Sequence, residues 1–424
     1  MTITETKNMI CGGGMDARLT KLYGDASLDA MKARYAELTD LFAEKFPGAA
    51  DPRFFSAPGR TEVCGNHTDH NHGKVMAAAI NLDAVACAAK TDDHYIRVFS
   101  KGYPGDVIDL NDLTPQENEK EKSASLVRGV AARFKELGYN VGGFDAVTVN
   151  NVLKGSGMSS SASFEVLVGT VLNYLYNDGK VSAVEIAQIA QYAENVFFGK
   201  PCGLMDQMAC SVGGFVKIDF GDPGKPVIEP VNFDFASCGH SLCIVDTRAD
   251  HADLTFEYAA IRQEMEAVAG YFGKSCLRET SEADVMANLA ALRESLGERP
   301  VMRAMHFYAD NRRVDAEAEA LAKGDFEAFK ALTIASGRSS YMYNQNVFAA
   351  SMPQSQPVAL ALALSEYILD GRGAWRVHGG GFAGTIQAFV PDDLLAEYKE
   401  KTEALFGEGS CYVLAIRPVG GCEV

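Results

Sequence analysis

The chain has 424 residues, 47% of them hydrophobic, and a formal charge of −17 at pH 7. That is enough apolar material for a substantial core and two domains, while the acidic balance argues against nucleic acid or an anionic membrane surface as a partner, and no apolar run approaches a membrane span. Ten scattered cysteines with no C-x-x-C pair point to reduced thiols and a cytoplasmic setting, and the stretch MTITETKNMI gives no sign of a signal peptide.

Residues 1–50 read as polar and partly helical, with a helix over 27–46. Residues 53–58 (RFFSAP) read as a short strand ending at Pro58, and the glycine-bracketed stretch that follows, Pro58 to Gly73, crowds a cation, a carboxylate, amides and imidazoles into sixteen residues. His67, Asp69, His70 and His72 invite a metal, but their spacing in a loop is not that of a helical ligand pair; the set is better suited to hydrogen-bonding a polyol, which needs donors and acceptors together. Residues 74–90 are apolar and read as one or two strands, 94–109 as a hairpin, 122–138 as a helix and 144–153 as a strand.

Then comes Lys154-Gly155-Ser156-Gly157-Met158-Ser159-Ser160-Ser161-Ala162-Ser163, with no large side chain before Phe164. Phe164, Leu167, Val168, Val171, Leu172 and Leu175 recur at helical spacing, so this loop joins a strand to a helix N-terminus. Unpaired backbone N–H groups and the positive end of a helix dipole suit such a loop to phosphate. It is neither a G-x-x-x-x-G-K-[ST] loop nor a G-x-G-x-x-G fingerprint. A capping box, Ser182 with Glu185, opens a helix running to about Phe198, which Gly199 and Pro201 stop. Glu194 lies on that helix and Asp206 follows twelve residues later, a spacing that can bring two acids into one cleft. Strands are expected at 211–220 and 240–247, helices over 251–272, 281–295, 299–322, 325–335 and 354–370, and strand, glycine turn, strand and helix from 374 to the end.

Five stretches resemble the GHMP kinases (galactokinase, homoserine, mevalonate and phosphomevalonate kinases), and the galactokinase branch most of all. The loop at 155–163 is similar to G-x-G-[LM]-S-S-S-A-S. Residues 59–73 resemble G-R-x-N-L-I-G-E-H-T-D-Y-N-x-G, with Asn66 where the family places a sugar-binding glutamate and His70 where it has tyrosine. Residues 193–207 are similar to A-E-H-x-F…C-G-x-M-D-Q, and 376–384 to R-[ML]-T-G-[GA]-G-F-G-G, with His378 and Ala383 departing. Residues 257–262 are similar to part of S-E-Y-N-x-R-R, whereas Ser339 to Asn344 stand where L-R-D-D-Y-E is usual.

The resemblance implies an α+β, two-domain GHMP kinase fold: an N-terminal domain of the ribosomal-protein type over 1–215 and a ferredoxin-like C-terminal domain over 216–424. It implies ATP and Mg²⁺ as cofactors and a sugar as substrate, phosphorylated at its anomeric hydroxyl by a monomer. Asp206 would face the sugar hydroxyl as base with Arg60 beside it. Asn66, His67, Asp69, Gly203 and Tyr258 would bind the sugar. Lys154, Gly155, Ser156, Gly157, Met158, Ser159, Ser160 and Ser161 would cradle ATP, and Ser160 and Glu194 would hold Mg²⁺. Galactose is the leading substrate. Galacturonate, an amino sugar or a pentose, or a sensor role without catalysis, remain alternatives.

Overall fold

The computed structural model describes the chain apart from residues 153–156, 201 and 250–253. Twelve strands, in chain order, form two sheets among the described residues. The first is built on β1 (Arg53–Cys64) and β2 (Lys74–Lys90), and continues through β3 (Tyr95–Ser100), β4 (Asp106–Asp109), β5 (Phe144–Asn150), β6 (Phe215–Asp219) and β7 (Val227–Val231). The second is β8 (His240–Asp246), β9 (Ala374–Val377), β10 (Thr385–Pro391) and β11 (Cys411–Leu414), in the order β11-β8-β10-β9 and antiparallel throughout. β12 (Cys422–Glu423) returns to pair with β1. The division expected at 215/216 falls at the start of β6, and β6, β7 and β12 all belong to the first sheet.

β2 is one long strand. Its first half pairs with β6 and its second with β5. The sheet is covered on both faces, which is why β2 reads as a nearly continuous apolar run. Phe55, Ala57, Ala84, Ala86 and Ala88 face the helices α4 (Ser123–Glu136), α5 (Ser160–Tyr176) and α6 (Ala183–Tyr192), a core that includes Val130, Val166 and Ile189. The alternate residues Phe54, Val85, Cys87 and Ala89 face α1 (Ile3–Cys11), α2 (Asp16–Tyr23) and α3 (Leu28–Lys45), through Ile10, Leu19, Tyr35 and Phe42. A buried ion cluster pins this helical layer: Asp83 pairs with Arg34 at 2.6 Å and Arg417 at 2.9 Å and accepts from Tyr23 at 2.6 Å.

α7 (Met205–Val212) packs with α5 and α6 on the first sheet; the helices α8 (Thr255–Tyr271), α9 (Glu282–Ala287) and α10 (Leu289–Leu296) pack on α11 (Glu298–Ala322), which lies against the first sheet, and α12 (Phe326–Ser339) joins α11 to β9 and β1. Two more, α13 (Pro357–Leu369) and α14 (Leu395–Phe406), cover the outer face of the second sheet. Its inner face, with Leu242, Ile244 and Phe389, shares one core with Val63, Met76 and Ile80 of the first sheet and with Val152 and Met158 beside the phosphate loop. The join between the sheets is therefore packed hydrophobic material, and the polar residues of the site cluster along it.

Candidate active site

β1 does not end at Pro58. It runs on through the glycine-bracketed stretch to Cys64, with a shift of register between Pro58 and Arg60. A proline without an N–H is tolerated in a strand at such a bulge. Arg60 thereby sits on a rigid strand. Its Nε and one Nη donate to Asp206 Oδ1 and Oδ2, both at 2.8 Å, and its other Nη reaches the Gly157 carbonyl. Asp206 is in the first turn of α7, and Ser159 Oγ donates to its Oδ2. Burial opposes the charge of Arg60 but the Asp206 carboxylate outweighs it, leaving the guanidinium above its ordinary range. The side chain of Arg60 is 8% exposed and that of Asp206 32%, so the carboxylate is the open member of the pair.

Of the expected phosphate loop, Lys154, Gly155 and Ser156 lie outside the described residues. Gly157 adopts φ +71 and Ser159 φ +57 ahead of α5, whose first residue is Ser160. Met158 is buried, and its carbonyl accepts from the Arg60 N–H at 3.2 Å. Glu194 is buried in the single wide turn Ala193–Phe198 that continues α6. Among the described residues, Ser161 is the loop hydroxyl in range of it, 3.5 Å from Oε1. Gln207 Nε2 donates to Glu194 Oε2 at 2.8 Å and to Glu165 Oε2 at 3.1 Å. Glu165 is fully buried on α5, and burial with the neighbouring Glu194 pushes its pKa well above the usual range. A carboxylate and short hydroxyls at a helix N-terminus are hard oxygen donors of the kind Mg²⁺ takes, so the residues present fit that ion.

The neighbouring cavity, about 490 Å³, is lined by His67, Asp69, His70, Gly203, Tyr258 and Arg262 among others. Asp69 Oδ1 is 2.9 Å from His70 Nδ1. Burial alone would raise Asp69, but His70 outweighs it and holds the carboxyl far below its ordinary range, while His70 is raised in return. His67 Nε2 lies 2.8 Å from the Gly380 carbonyl, and burial lowers its pKa to about 4, so the ring is neutral with its proton on Nε2. Tyr258 donates its hydroxyl to the Gly381 carbonyl at 2.9 Å, and burial raises it to about 12. A Cβ on Gly203 would stand 2.9 Å from Asp69 Oδ2 and push that carboxylate aside.

Asn66 stands apart from this group. It is fully buried beneath the cavity, and its amide donates to Glu62 Oε1 at 2.8 Å and to the Gly379 carbonyl at 2.7 Å. Its Oδ1 accepts from Asn346 at 2.7 Å and Ser340 at 3.3 Å. These bonds consume both amide hydrogens, and Asn66, expected to touch the sugar, is not among the residues lining the cavity.

Two family models match this chain. The GHMP kinase N-terminal domain covers residues 125–214, and the galactokinase galactose-binding signature covers 40–90. Over those residues the chain is similar to the GHMP kinases and, within them, to galactokinases. The crystal structure of Lactococcus lactis galactokinase complexed with galactose superposes with a TM-score of 0.77 at 25% identity, over 92% of this chain and 100% of that one. The Methanococcus jannaschii mevalonate kinase gives 0.62 at 13% identity over 87% and 99%, and the Streptococcus pneumoniae phosphomevalonate kinase 0.56 at 13% over 88% and 99%. The last two share the fold. The signature and the Lactococcus neighbour together support a sugar kinase.

Sequence reasoning missed Glu165 and Gln207 as partners of Glu194. Gln207 was visible beside Asp206, but Glu165 looked like one more residue of an apolar helix. His378 also escaped a role. Its Nδ1 is 2.9 Å from Thr385 Oγ1 and its Nε2 accepts from the Glu62 N–H at 3.3 Å, so a neutral, buried ring stitches β1 to the second sheet. Burial, with Arg60 and Arg376 nearby, holds its pKa well below the ordinary range.

Proposed function

We propose that this protein transfers the γ-phosphoryl group of ATP to the anomeric hydroxyl of galactose or a close sugar, giving the sugar 1-phosphate. The observation that carries the reading is the two-pronged Arg60–Asp206 pair, tied to the phosphate loop through Gly157 and Ser159 and set beside the cavity of His67, Asp69 and Tyr258. Phosphoryl transfer asks little covalent work of the protein; it needs a nucleophile held in line and phosphate charge offset.

Asp206 supplies the first. Oδ2 already accepts from Arg60 and Ser159, whereas Oδ1 accepts from Arg60 alone. Oδ1 is thus the atom left to accept the sugar hydroxyl's hydrogen bond and, as the new bond forms, its proton. Arg60 keeps Asp206 in place and supplies its counter-charge before the hydroxyl arrives. The N-terminus of α5 and the Gly157–Ser161 backbone would receive phosphate oxygens. Glu194 and the hydroxyls of Ser160 and Ser161 would hold Mg²⁺, which would supply positive charge to offset that of the phosphates. Gln207 fixes the Glu194 carboxylate for that purpose.

The test is ADP release measured across a panel of monosaccharides, with the product's phosphorylated position read by ³¹P and ¹³C NMR. A 1-phosphate of galactose or a near relative is expected. ADP release independent of every sugar, or phosphate at a non-anomeric position, overturns the proposal.

A further inference from the structure

In the signature that residues 59–73 resemble, the amide comes at the position of Glu62 and the carboxylate at the position of Asn66. This chain has the two exchanged, and the exchanged side chains remain bonded to each other at 2.8 Å. Glu62 is buried and its carboxylate also pairs with Arg376 at 3.0 Å, itself fully buried, whose other Nη reaches the Val63 carbonyl. The main chain of Asn66 is engaged too. Its N–H donates to Asp310 at 3.2 Å and its carbonyl accepts from His306 at 2.9 Å. No hydrogen-bonding atom of Asn66 is left to read a ligand.

What Asn66 does hold is the glycine turn of the second sheet. Three successive carbonyls of that turn are gripped by three side chains: Gly379 by Asn66 at 2.7 Å, Gly380 by His67 at 2.8 Å and Gly381 by Tyr258 at 2.9 Å. Asn346 adds a second bond to Gly380 at 3.1 Å. A side chain on Gly381 would collide with the Asn346 carbonyl, so the turn packs directly on that residue. His67 and Tyr258 line the cavity and Asn66 does not. Their orientation depends on a turn that Asn66 fixes.

We propose that Glu62 and Asn66 form a positioning couple that withdraws position 66 from the acceptor cavity, anchors the Gly379–Gly381 turn, and leaves a cavity that accepts neutral or amino sugars and rejects sugar acids. The substrate class rests on the sugar-kinase reading; the couple itself does not. With the Nε2 proton of His67 committed to Gly380, its Nδ1 offers a lone pair. Asp69 offers a carboxylate. Arg262, the cavity's guanidinium, is tied to Glu266 at 2.6 Å, and His70 to Asp69. Hydroxyl and ammonium groups find acceptors in such a wall, whereas a uronate meets the Asp69 carboxylate, cations already paired to Asp69 and Glu266, and the Gln191 amide, which donates to the Cys202 carbonyl.

The test uses wild type, Asn66→Glu, Glu62→Asn, the double variant and Glu62→Gln. Initial rates with galactose, galactosamine and galacturonate give kcat and KM for each sugar and KM for ATP, and thermal unfolding gives a midpoint for each protein. In wild type, galacturonate should fall at least about tenfold below the better of the other two in kcat/KM. Each single exchange variant should lower the midpoint and raise the sugar KM at least about fivefold, with the KM for ATP within about twofold, and the double variant should recover most of both losses. If a single variant does not fold, Glu62→Gln, which keeps the shape, carries the same expectation for the sugar KM. Galacturonate as the best substrate overturns the substrate class. A double variant no better than the worse single overturns the couple. If wild type phosphorylates none of these sugars, the sugar-kinase reading and the substrate class fall together, and the midpoints of wild type, the two single exchange variants and the double variant still decide the couple.

Discussion

Asp206→Asn separates the chemistry of the Arg60–Asp206 pair from its structural worth. The amide has nearly the same shape, but one oxygen becomes an NH₂ that faces a guanidinium N–H. One of the two 2.8 Å bonds is lost, and Arg60, 8% exposed, is left without its counter-charge. A hydrogen bond to a charged group is worth about 1.5–3 kcal/mol, and the low end applies because the Asp206 side chain is a third exposed. With 424 residues the unfolding entropy is about 0.9 kcal/mol/K, so the thermal midpoint should drop by about 2 °C. Turnover should suffer far more. An amide cannot take the hydroxyl proton, and loss of a positioned base costs at least about a hundredfold in kcat, roughly 2.7 kcal/mol of transition-state stabilisation. Steady-state ADP release at saturating ATP, with a thermal melt of the same preparation, measures both. A folded variant with kcat within about tenfold of wild type would refute the assignment of Asp206.

Glu194→Gln should raise the Mg²⁺ concentration for half-maximal rate at least about tenfold, and calorimetry of Mg²⁺-dependent nucleotide binding should show the same displacement; an unchanged titration by both methods removes Glu194 from the metal site. His378 is held neutral in the folded state and titrates freely when unfolded, so the unfolded chain takes up its proton first as pH falls and wild type loses stability below about pH 6.5. His378→Gln lacks that proton uptake, and the stability difference between wild type and variant in urea melts should shrink by about 1.4 kcal/mol for each pH unit below about 6.5; a constant difference between pH 7 and 5.5 contradicts the buried neutral ring. Asp83→Ala leaves Arg34 and Arg417 buried without their carboxylate and should cost about 3–5 kcal/mol, with limited proteolysis expected first in the α1–α3 layer; cleavage elsewhere with that layer intact would show that the cluster does not hold it.

The α+β class, the capping box at Ser182 and most helices were legible because their signals are local: a 3.6-residue period, a serine three residues before a glutamate, a glycine after the last turn. Two elements were missed for equally physical reasons. α7 was hidden because MDQMACSV is only 8 residues long and its apolar positions Met205, Met208, Ala209 and Val212 run into the next apolar stretch, so its end was merged into the following strand. β1 was cut short at Pro58 because proline and glycine usually end a strand, and only the pairing with β2 across a bulge shows that it continues. That error mattered for the site. It turned Arg60 and Glu62 into loop residues, when a strand buried on both faces is what holds them still.

The candidate site was legible wherever a residue acts through its own chemistry. Arg60, Asp206 and Glu194 are charged groups that need partners wherever they are buried, and the structure supplies those partners. Asn66 is the opposite case, because an amide can donate or accept and its neighbours decide which. Considered alone, the change from glutamate to asparagine at 66 looks like a changed contact to the sugar. Considered with the reverse change at 62, it is a carboxylate moved four residues along β1 and its turn to face Arg376, with the amide following to keep the bond. The two positions are separated by Val63, Cys64 and Gly65, and nothing in their order along the chain says that they touch. The fold brings them together, and with them Gly379, Ser340 and Asn346 from more than 270 residues away. What a substitution in a binding motif does is therefore set by whether its hydrogen-bonding capacity is already spent inside the protein. At position 66 both amide hydrogens are spent, so the specificity of this cavity has to be sought in His67, Asp69 and Tyr258, and in the glycine turn that aims two of them.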